Sequence, residues 1–440
     1  MEKKLTRRNF LAGAGFMGAV MGLGLAGCTS GSPAESAADD SLSATGEGSE
    51  AGIEWAREAD VVVLGYGAAG AATAIEAADN GASVLIVEKE SLPGGSMARC
   101  GGAIMGAGTR VQKELGYEDT PDDMYQWIMT CTDGACPDYI ARAYADRCGA
   151  NVDWLEDLSK AHTDQQLFEY ARAVGGEGAT SGSSGGAGCL DATGCEYEKF
   201  GFSKETAAPR THWATAMPDN TANSGPELFL PLYEAINARA EQIESVFDTK
   251  FVRFILDEAG AVIGVEVEGQ NGPENIKANK GVMLATGGFC ASEEMQQKFV
   301  PEAVGKKCYM SDACQGEGIL AAMAIGADLA QMSYYYPIAK AQQYHYNVQY
   351  NDVFYHWDMD DEGYMEVPED NMAETHGGVV INDKAQVLNV WGEVIPGLYA
   401  SGNDVGTNIF GKPGNYPGCG CYVSFAVCFG RIAGAEMAQA

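Results

Sequence analysis

An α/β protein built on a buried parallel sheet is the prediction for this 440-residue chain. Three observations carry it. Asp60-Val61-Val62-Val63-Leu64 is a short β-branched run, the mark of a parallel strand buried on both faces. Gly65-Tyr66-Gly67-Ala68-Ala69-Gly70 follows it directly. A second run at 83–87 arrives after an Asn80-Gly81 turn and ends on Glu88. Strand, glycine turn, helix and strand within about thirty residues make a Rossmann-like nucleotide-binding unit.

Composition bounds the partners. Lys and Arg number 28 against 61 Asp and Glu, a formal net charge of -33. Such a surface repels phosphate backbones, so no nucleic-acid partner is expected. Hydrophobic residues at 46% exclude disorder for the bulk of the chain. The 57 glycines point to many places where backbone turns tightly or approaches a ligand.

In chain order, residues 1–27 read as a twin-arginine export signal. Lys3, Lys4, Arg7 and Arg8 precede an apolar stretch broken by Gly13, Gly15, Gly18, Gly22 and Gly24. Leu25-Ala26-Gly27-Cys28 resembles a lipoprotein box, and 28–56, rich in Ser, Gly, Ala, Asp and Glu, reads as a flexible tether. The expected location is extracytoplasmic, lipid-anchored to the cell membrane. In the glycine turn, one residue allows the tight turn, one the approach of a pyrophosphate and one the helix–strand contact. The helix start would hold the pyrophosphate through its free N–H groups. Glu88 would accept from ribose hydroxyls and disfavours a 2'-phosphate. Residues 125–129, 139–158 and 228–243 have helical spacing. Residues 251–255 and 262–267 read as a hairpin around Asp257-Glu258-Ala259-Gly260, and 175–188 as a Gly/Ser-rich surface loop.

Further landmarks are Pro93-Gly94-Gly95-Ser96, Cys100-Gly101-Gly102-Ala103 and Leu284-Ala285-Thr286-Gly287-Gly288-Phe289. Downstream come Gly316-Glu317-Gly318, Thr375-His376-Gly377-Gly378, Ile395-Pro396-Gly397-Leu398-Tyr399-Ala400-Ser401-Gly402 and Phe429-Gly430-Arg431-Ile432-Ala433-Gly434. With the first glycine turn, these resemble the FAD-dependent fumarate reductase / 3-ketosteroid dehydrogenase superfamily over about residues 57–440. The resemblance implies a split Rossmann-like FAD-binding domain, 57–295 with 373–440, and a small inserted α+β cap, 300–372. It implies tightly bound FAD and two-electron exchange across a carbon–carbon bond. The residues it assigns to FAD are Gly65, Gly67, Ala69, Gly70, Glu88, Lys89, Gly95, Ser96, Gly101, Gly102, Ala285, Thr286, Gly287, Gly402 and Asn403.

Substrate chemistry follows from what the chain lacks. Fumarate reductases of the family clamp a dicarboxylate with arginines, one of them in an HGxNRLGG-like stretch. Here that place reads Gly406-Thr407-Asn408-Ile409-Phe410-Gly411-Lys412, and no arginine occurs between Arg253 and Arg431. Two carboxylates would lack bidentate partners. Asn415-Tyr416-Pro417-Gly418-Cys419-Gly420 instead resembles the ketosteroid-dehydrogenase segment in which a Tyr hydroxyl and a glycine N–H bind a ketone oxygen. By that match Tyr416 and Gly420 polarise a neutral carbonyl. His376 matches a carbonyl-binding His of the fumarate enzymes, and its other reading is a structural histidine beside the flavin. Tyr336, in Tyr334-Tyr335-Tyr336-Pro337, belongs to an aromatic-rich cap that would form a slot for a flat apolar substrate. The proton donor is unassigned.

The thirteen cysteines form no CxxC or CxxCH pattern, so haem attachment and common zinc spacings are absent and no metal site is expected. Disulfides, buried thiols and an unusual iron–sulfur site stay open. Together these readings predict an exported FAD oxidoreductase that reduces an activated C=C, an α,β-unsaturated ketone or related enoate on an apolar small molecule. Its electrons would come from a membrane quinol-linked cytochrome or flavoprotein. The alternatives are a 3-ketosteroid-type dehydrogenase running oxidatively, and a non-catalytic flavin electron carrier or ligand-binding lipoprotein.

Overall fold

The computed structural model describes residues 52–164, 166–168, 170–172, 189–191, 208–214, 225–306, 308, 310–338, 344–345, 364–365, 371–412, 415 and 417–440. The export signal, the lipoprotein box, most of the tether, the 175–188 loop and Tyr416 lie outside the described residues.

A mixed eight-stranded sheet organises the rest. Its strands are β1 (Arg57–Leu64), β2 (Val84–Val87), β3 (Ile243–Val246), β4 (Lys250–Leu256), β5 (Val262–Gly269), β6 (Gly272–Leu284), β7 (Gln386–Leu388) and β8 (Val394–Ala400). The order is β7-β8-β6-β1-β2-β3, with the β4–β5 hairpin running off β6. β1 lies parallel to both β2 and β6, in register at Leu64↔Val87 and Leu64↔Leu284. β8 continues the parallel set at Leu284↔Ala400. Five chain segments therefore leave the sheet along one edge, after Leu64, Val87, Val246, Leu284 and Ala400. Val61, Val62, Val63 and Leu64 are buried, as two-sided burial of a parallel strand requires.

Two helices of small residues cover this sheet: α1 (Ala68–Asp79) and α2 (Cys421–Gln439). Their backbones meet closely because glycine stands at the contact. A Cβ on Gly430 would lie 2.6 Å from the Ala69 carbonyl oxygen, and one on Gly434 would lie 2.5 Å from that of Thr73. The Thr73 hydroxyl donates to the Gly430 carbonyl at 3.0 Å, tying the two helices with a buried bond. α2 is long and apolar enough to cross a membrane, but 72% of its apolar window is buried inside the protein. It is a core helix.

The hairpin at 251–267 forms as expected. Two helical readings shift. Residues 139–158 are divided between helices Asp138–Ala145 and Cys148–His162, which break at Asp146-Arg147. The periodic run 228–243 is helical only within Gly225–Asn237; Ile243 has become sheet, opposite Val84. Pairing with β2 overrides the local apolar spacing there. A second, smaller core gathers Phe289, Cys290, Met295, Val300, Cys308, Cys314, Ile319 and Met372.

Candidate functional site

Of the five segments leaving the parallel edge of the sheet, those after Leu64, Val87, Leu284 and Ala400 carry expected cofactor residues, and their backbones crowd together. A Cβ on Gly65 would stand 2.3 Å from the Ala285 carbonyl oxygen, and one on Gly70 only 1.9 Å from that of Gly65. Gly65 also has φ +102° and Gly95 +49°, a left-handed region that glycine enters without strain. The Gly94 N–H donates to the Tyr66 carbonyl at 2.9 Å, seating Gly94-Gly95-Ser96 against the first turn. Ala69 is buried on α1, whose first turn has no side-chain cap and no acidic residue. Its free N–H groups and positive dipole end thus face the edge where a pyrophosphate would sit.

Glu88 is fixed in place at the end of β2. One carboxylate oxygen accepts from the Tyr66 N–H at 2.7 Å, the other from the Glu90 N–H at 2.9 Å. Each oxygen keeps a lone pair for a ribose hydroxyl. Burial raises its pKa above the ordinary carboxylate range, against those two donors. The Lys89 ammonium is ion-paired with Glu317 at 2.5 Å. Gly102 has φ +76° and its carbonyl accepts from the Ala214 N–H, while Gly101 is half-buried beside it.

Asp404 had no counterpart among the sequence-derived residues. One of its oxygens accepts from the Thr286 hydroxyl at 2.9 Å, the other from the Gly287 N–H at 2.9 Å. It therefore locks the Ala285-Thr286-Gly287 turn to Gly402-Asn403. Burial lifts its carboxyl to about 6 in spite of those bonds. Asn403, Ser96 and Cys290 lie around Glu374, whose carboxyl is raised to about 8 by full burial. No short-range motif could have revealed either acid, because their partners come from distant segments.

At the start of α2, Gly420 has φ +83°, and a Cβ there would sit 2.6 Å from the backbone of Ile104. The preceding loop is held from both sides. The Trp127 indole N–H donates to the Pro417 carbonyl at 2.7 Å, and the Thr211 hydroxyl to the Cys419 carbonyl at 3.2 Å. Arg210, next to Thr211, is anchored by a bidentate pair to buried Asp119 at 2.7 and 2.8 Å.

His376 joins this end. Its Nδ1 lies 2.9 Å from the Gly411 carbonyl oxygen, which can only accept, so Nδ1 carries the proton. Nε2 is then an acceptor and receives the Tyr422 hydroxyl at 2.8 Å. Burial lowers the imidazole to about 4, so it is neutral at physiological pH. Phe410 packs against both rings, at 5.5 Å from His376 and 4.4 Å from Tyr422. Lys412, one residue beyond Gly411, is engaged with Asp133 at 3.0 Å. Tyr336 is half-buried in strand Tyr335–Ile338, which pairs with Asn371–Thr375 just before His376.

These residues fit FAD. Loops whose close approach tolerates no Cβ, an uncapped helix start and an acid positioned for a ribose form a dinucleotide cradle. Among the described residues no cluster of His, Cys, Asp and Glu is placed to hold a metal ion, and ten of the cysteines are free thiols, eight of them buried.

The model of the FAD binding domain family matches residues 60–337 and 368–423. The digoxin reductase of Eggerthella lenta is 36% identical over 167 residues, 37% of this chain and 30% of that protein. The acrylate reductase flavoprotein subunit of Shewanella woodyi is 28% identical over 333 residues, 73% of this chain and 54% of that protein. The chain thus spans about half, or less, of the length of these relatives. The crystal structure of 3-ketosteroid-delta4-(5alpha)-dehydrogenase from Rhodococcus jostii superposes with a TM-score of 0.70 at 22% identity, covering 89% of this chain and 99% of that one. The fold is shared.

Proposed function

The chain belongs to the FAD-binding domain family, with FAD as its cofactor, and from that premise we propose that it reduces an activated C=C bond, that of an α,β-unsaturated ketone or related enoate on an apolar molecule. Bound FAD supplies the exchange of a hydride. The chain holds it through the glycine turns, Glu88 and the Asp404-locked loop.

One observation carries the substrate class: the neutral hydrogen-bonding pair His376–Tyr422 at the start of α2, in a chain with no arginine from 254 to 430. A dicarboxylate entering there would bring two charges without bidentate partners, a cost of several kcal/mol. A ketone oxygen needs only one or two neutral donors. Tyr416 and the Gly420 N–H are assigned that task by the resemblance of Asn415-Tyr416-Pro417-Gly418-Cys419-Gly420, with Trp127 and Thr211 holding the loop in place. Kinship with proteins named digoxin reductase and acrylate reductase supports the reductive direction.

We further propose that the protein works outside the cytoplasm on a lipid anchor at Cys28, with electrons from a membrane quinol-linked cytochrome or flavoprotein. The twin-arginine pattern at Arg7-Arg8 and the lipoprotein box support both readings.

The test is anaerobic reoxidation of the viologen-reduced, FAD-loaded protein, followed by flavin absorbance. Rapid reoxidation by enones and none by fumarate is expected, and Tyr416→Phe should slow it at least tenfold without loss of FAD. Reoxidation by fumarate would overturn the argument from missing arginines. If no enone reoxidises the reduced flavin and saturated ketones instead reduce the oxidised, FAD-loaded protein, the oxidative dehydrogenase reading suggested by the Tyr416–Gly420 segment replaces it.

A further inference from the structure

We propose that Cys290 and Cys308 form a redox-active dithiol and that Cys314 links it to the cofactor cradle, so that the protein stores a second electron pair beside that of its flavin. The inference rests on the FAD reading of the cradle but not on any alkene substrate.

The thiols come from separate segments and meet in the small core beside the cradle. Cys290 lies within hydrogen-bonding reach of both Cys308 and Cys314. Cys308 is oriented by its own bond to the Ala373 carbonyl at 3.4 Å. Cys314 faces the cofactor side. Its sulfur is 3.8 Å from the Ser96 hydroxyl, and a Cβ on Gly287 would stand 2.9 Å from it. Ser96 and Gly287 both belong to the cradle. The thiol group therefore runs without a break from Cys308 to the turns expected to hold the flavin.

Thiols often fill apolar cores as small hydrophobes, and burial alone would mean no more here. What that reading leaves unexplained is Glu374. Its carboxyl is fully buried, lies among Cys290, Ser96 and Asn403, and has one oxygen, Oε2, with no hydrogen-bond partner. An unsatisfied buried carboxyl is costly for a structure that needs only packing. As a neutral acid that relays the Cys290 proton it has a use. Burial that shields the thiols from outside oxidants does not hinder an internal exchange, which needs contact rather than solvent.

The step balances. The two thiols lose two protons and two electrons as the S–S bond forms. The Cys290 proton would leave through the neutral Glu374 carboxyl, which takes it on one oxygen as it releases its own from the other. Both protons and both electrons would be taken up by an oxidised flavin held in the cradle, which would thereby gain one electron pair.

Electron counting tests the proposal. The air-oxidised, FAD-loaded protein is titrated anaerobically with dithionite and, in parallel, alkylated, digested and mapped by mass spectrometry. Wild type should take up two electron pairs per FAD and yield a 290–308 linked peptide. Cys290→Ser and Cys308→Ala should halve the uptake, and Cys136→Ser, distant in sequence and in another core, should leave it at two pairs. Uptake of one pair with Cys290 and Cys308 both alkylated would overturn the proposal, and a 290–314 link would overturn the pairing. Mapping wild type before and after its flavin is reoxidised by air separates the same outcomes without variants, since folding of a variant is then not at issue. No alkene enters either assay, so failure of the ene-reductase reading would be seen separately.

Discussion

Glu374 carries the clearest consequence at the scale of one residue. Burial holds its carboxyl at about 8, whereas an unfolded chain would release that proton in the ordinary range near 4.3. Between those values the folded state binds more protons than the unfolded one, so stability falls as pH rises. The contribution is complete below about pH 4 and is lost on passing through pH 8. Buried His376 and His212, both lowered to about 4, act in the opposite sense, removing stability as pH falls below about 6.5. Their share cancels in a comparison of wild type with Glu374→Gln. The melting temperature of the variant relative to wild type should therefore climb steadily from pH 5 to 9 at matched FAD saturation. A difference that does not change with pH would show that the acid is not neutral in the fold.

At the scale of elements, the turn from β1 into α1 is the most exacting. Gly70 leaves no room for a methyl group, because its Cβ would overlap the Gly65 carbonyl oxygen at 1.9 Å. Gly70→Ala should push the first turn out of place, reducing bound FAD severalfold at equal protein while far-UV circular dichroism shows the sheet retained. Retention of full FAD content would mean the turn is not the cradle. This turn was legible in the sequence because strand, glycines, helix and acid lie in one continuous stretch of chain. The hairpin at 251–267 was legible for the same reason. Local reading failed where partners are remote. Ile243 looked helical until β2 paired with it, and nothing near Asp404, Glu374 or Arg210 announces the distant groups they hold. The His376–Tyr422 bond joins residues 46 positions apart, so only half of that pair could be named from a motif.

At the scale of the whole molecule, the cradle draws on both ends of the fold, Gly65 to Ser96 on one side and Ala285 to Asp404 on the other. Only the folded state brings them together at the edge of the parallel strands. A dinucleotide bound there is therefore linked to global stability rather than to one loop. Ligand at a hundred times its dissociation constant adds about 2.7 kcal/mol to unfolding. A domain of a few hundred residues converts each kcal/mol into roughly 2 °C of melting temperature. Stripping FAD should therefore lower the midpoint by about 5 °C, and adding it back should raise the midpoint in proportion to the logarithm of free FAD. The apoprotein should keep its sheet, since Val61, Val62, Val63 and Leu64 are buried by protein rather than by cofactor. A midpoint indifferent to FAD would place the dinucleotide elsewhere. A sheet that collapses on its removal would mean that the small-residue contact of α1 with α2 cannot hold the molecule alone.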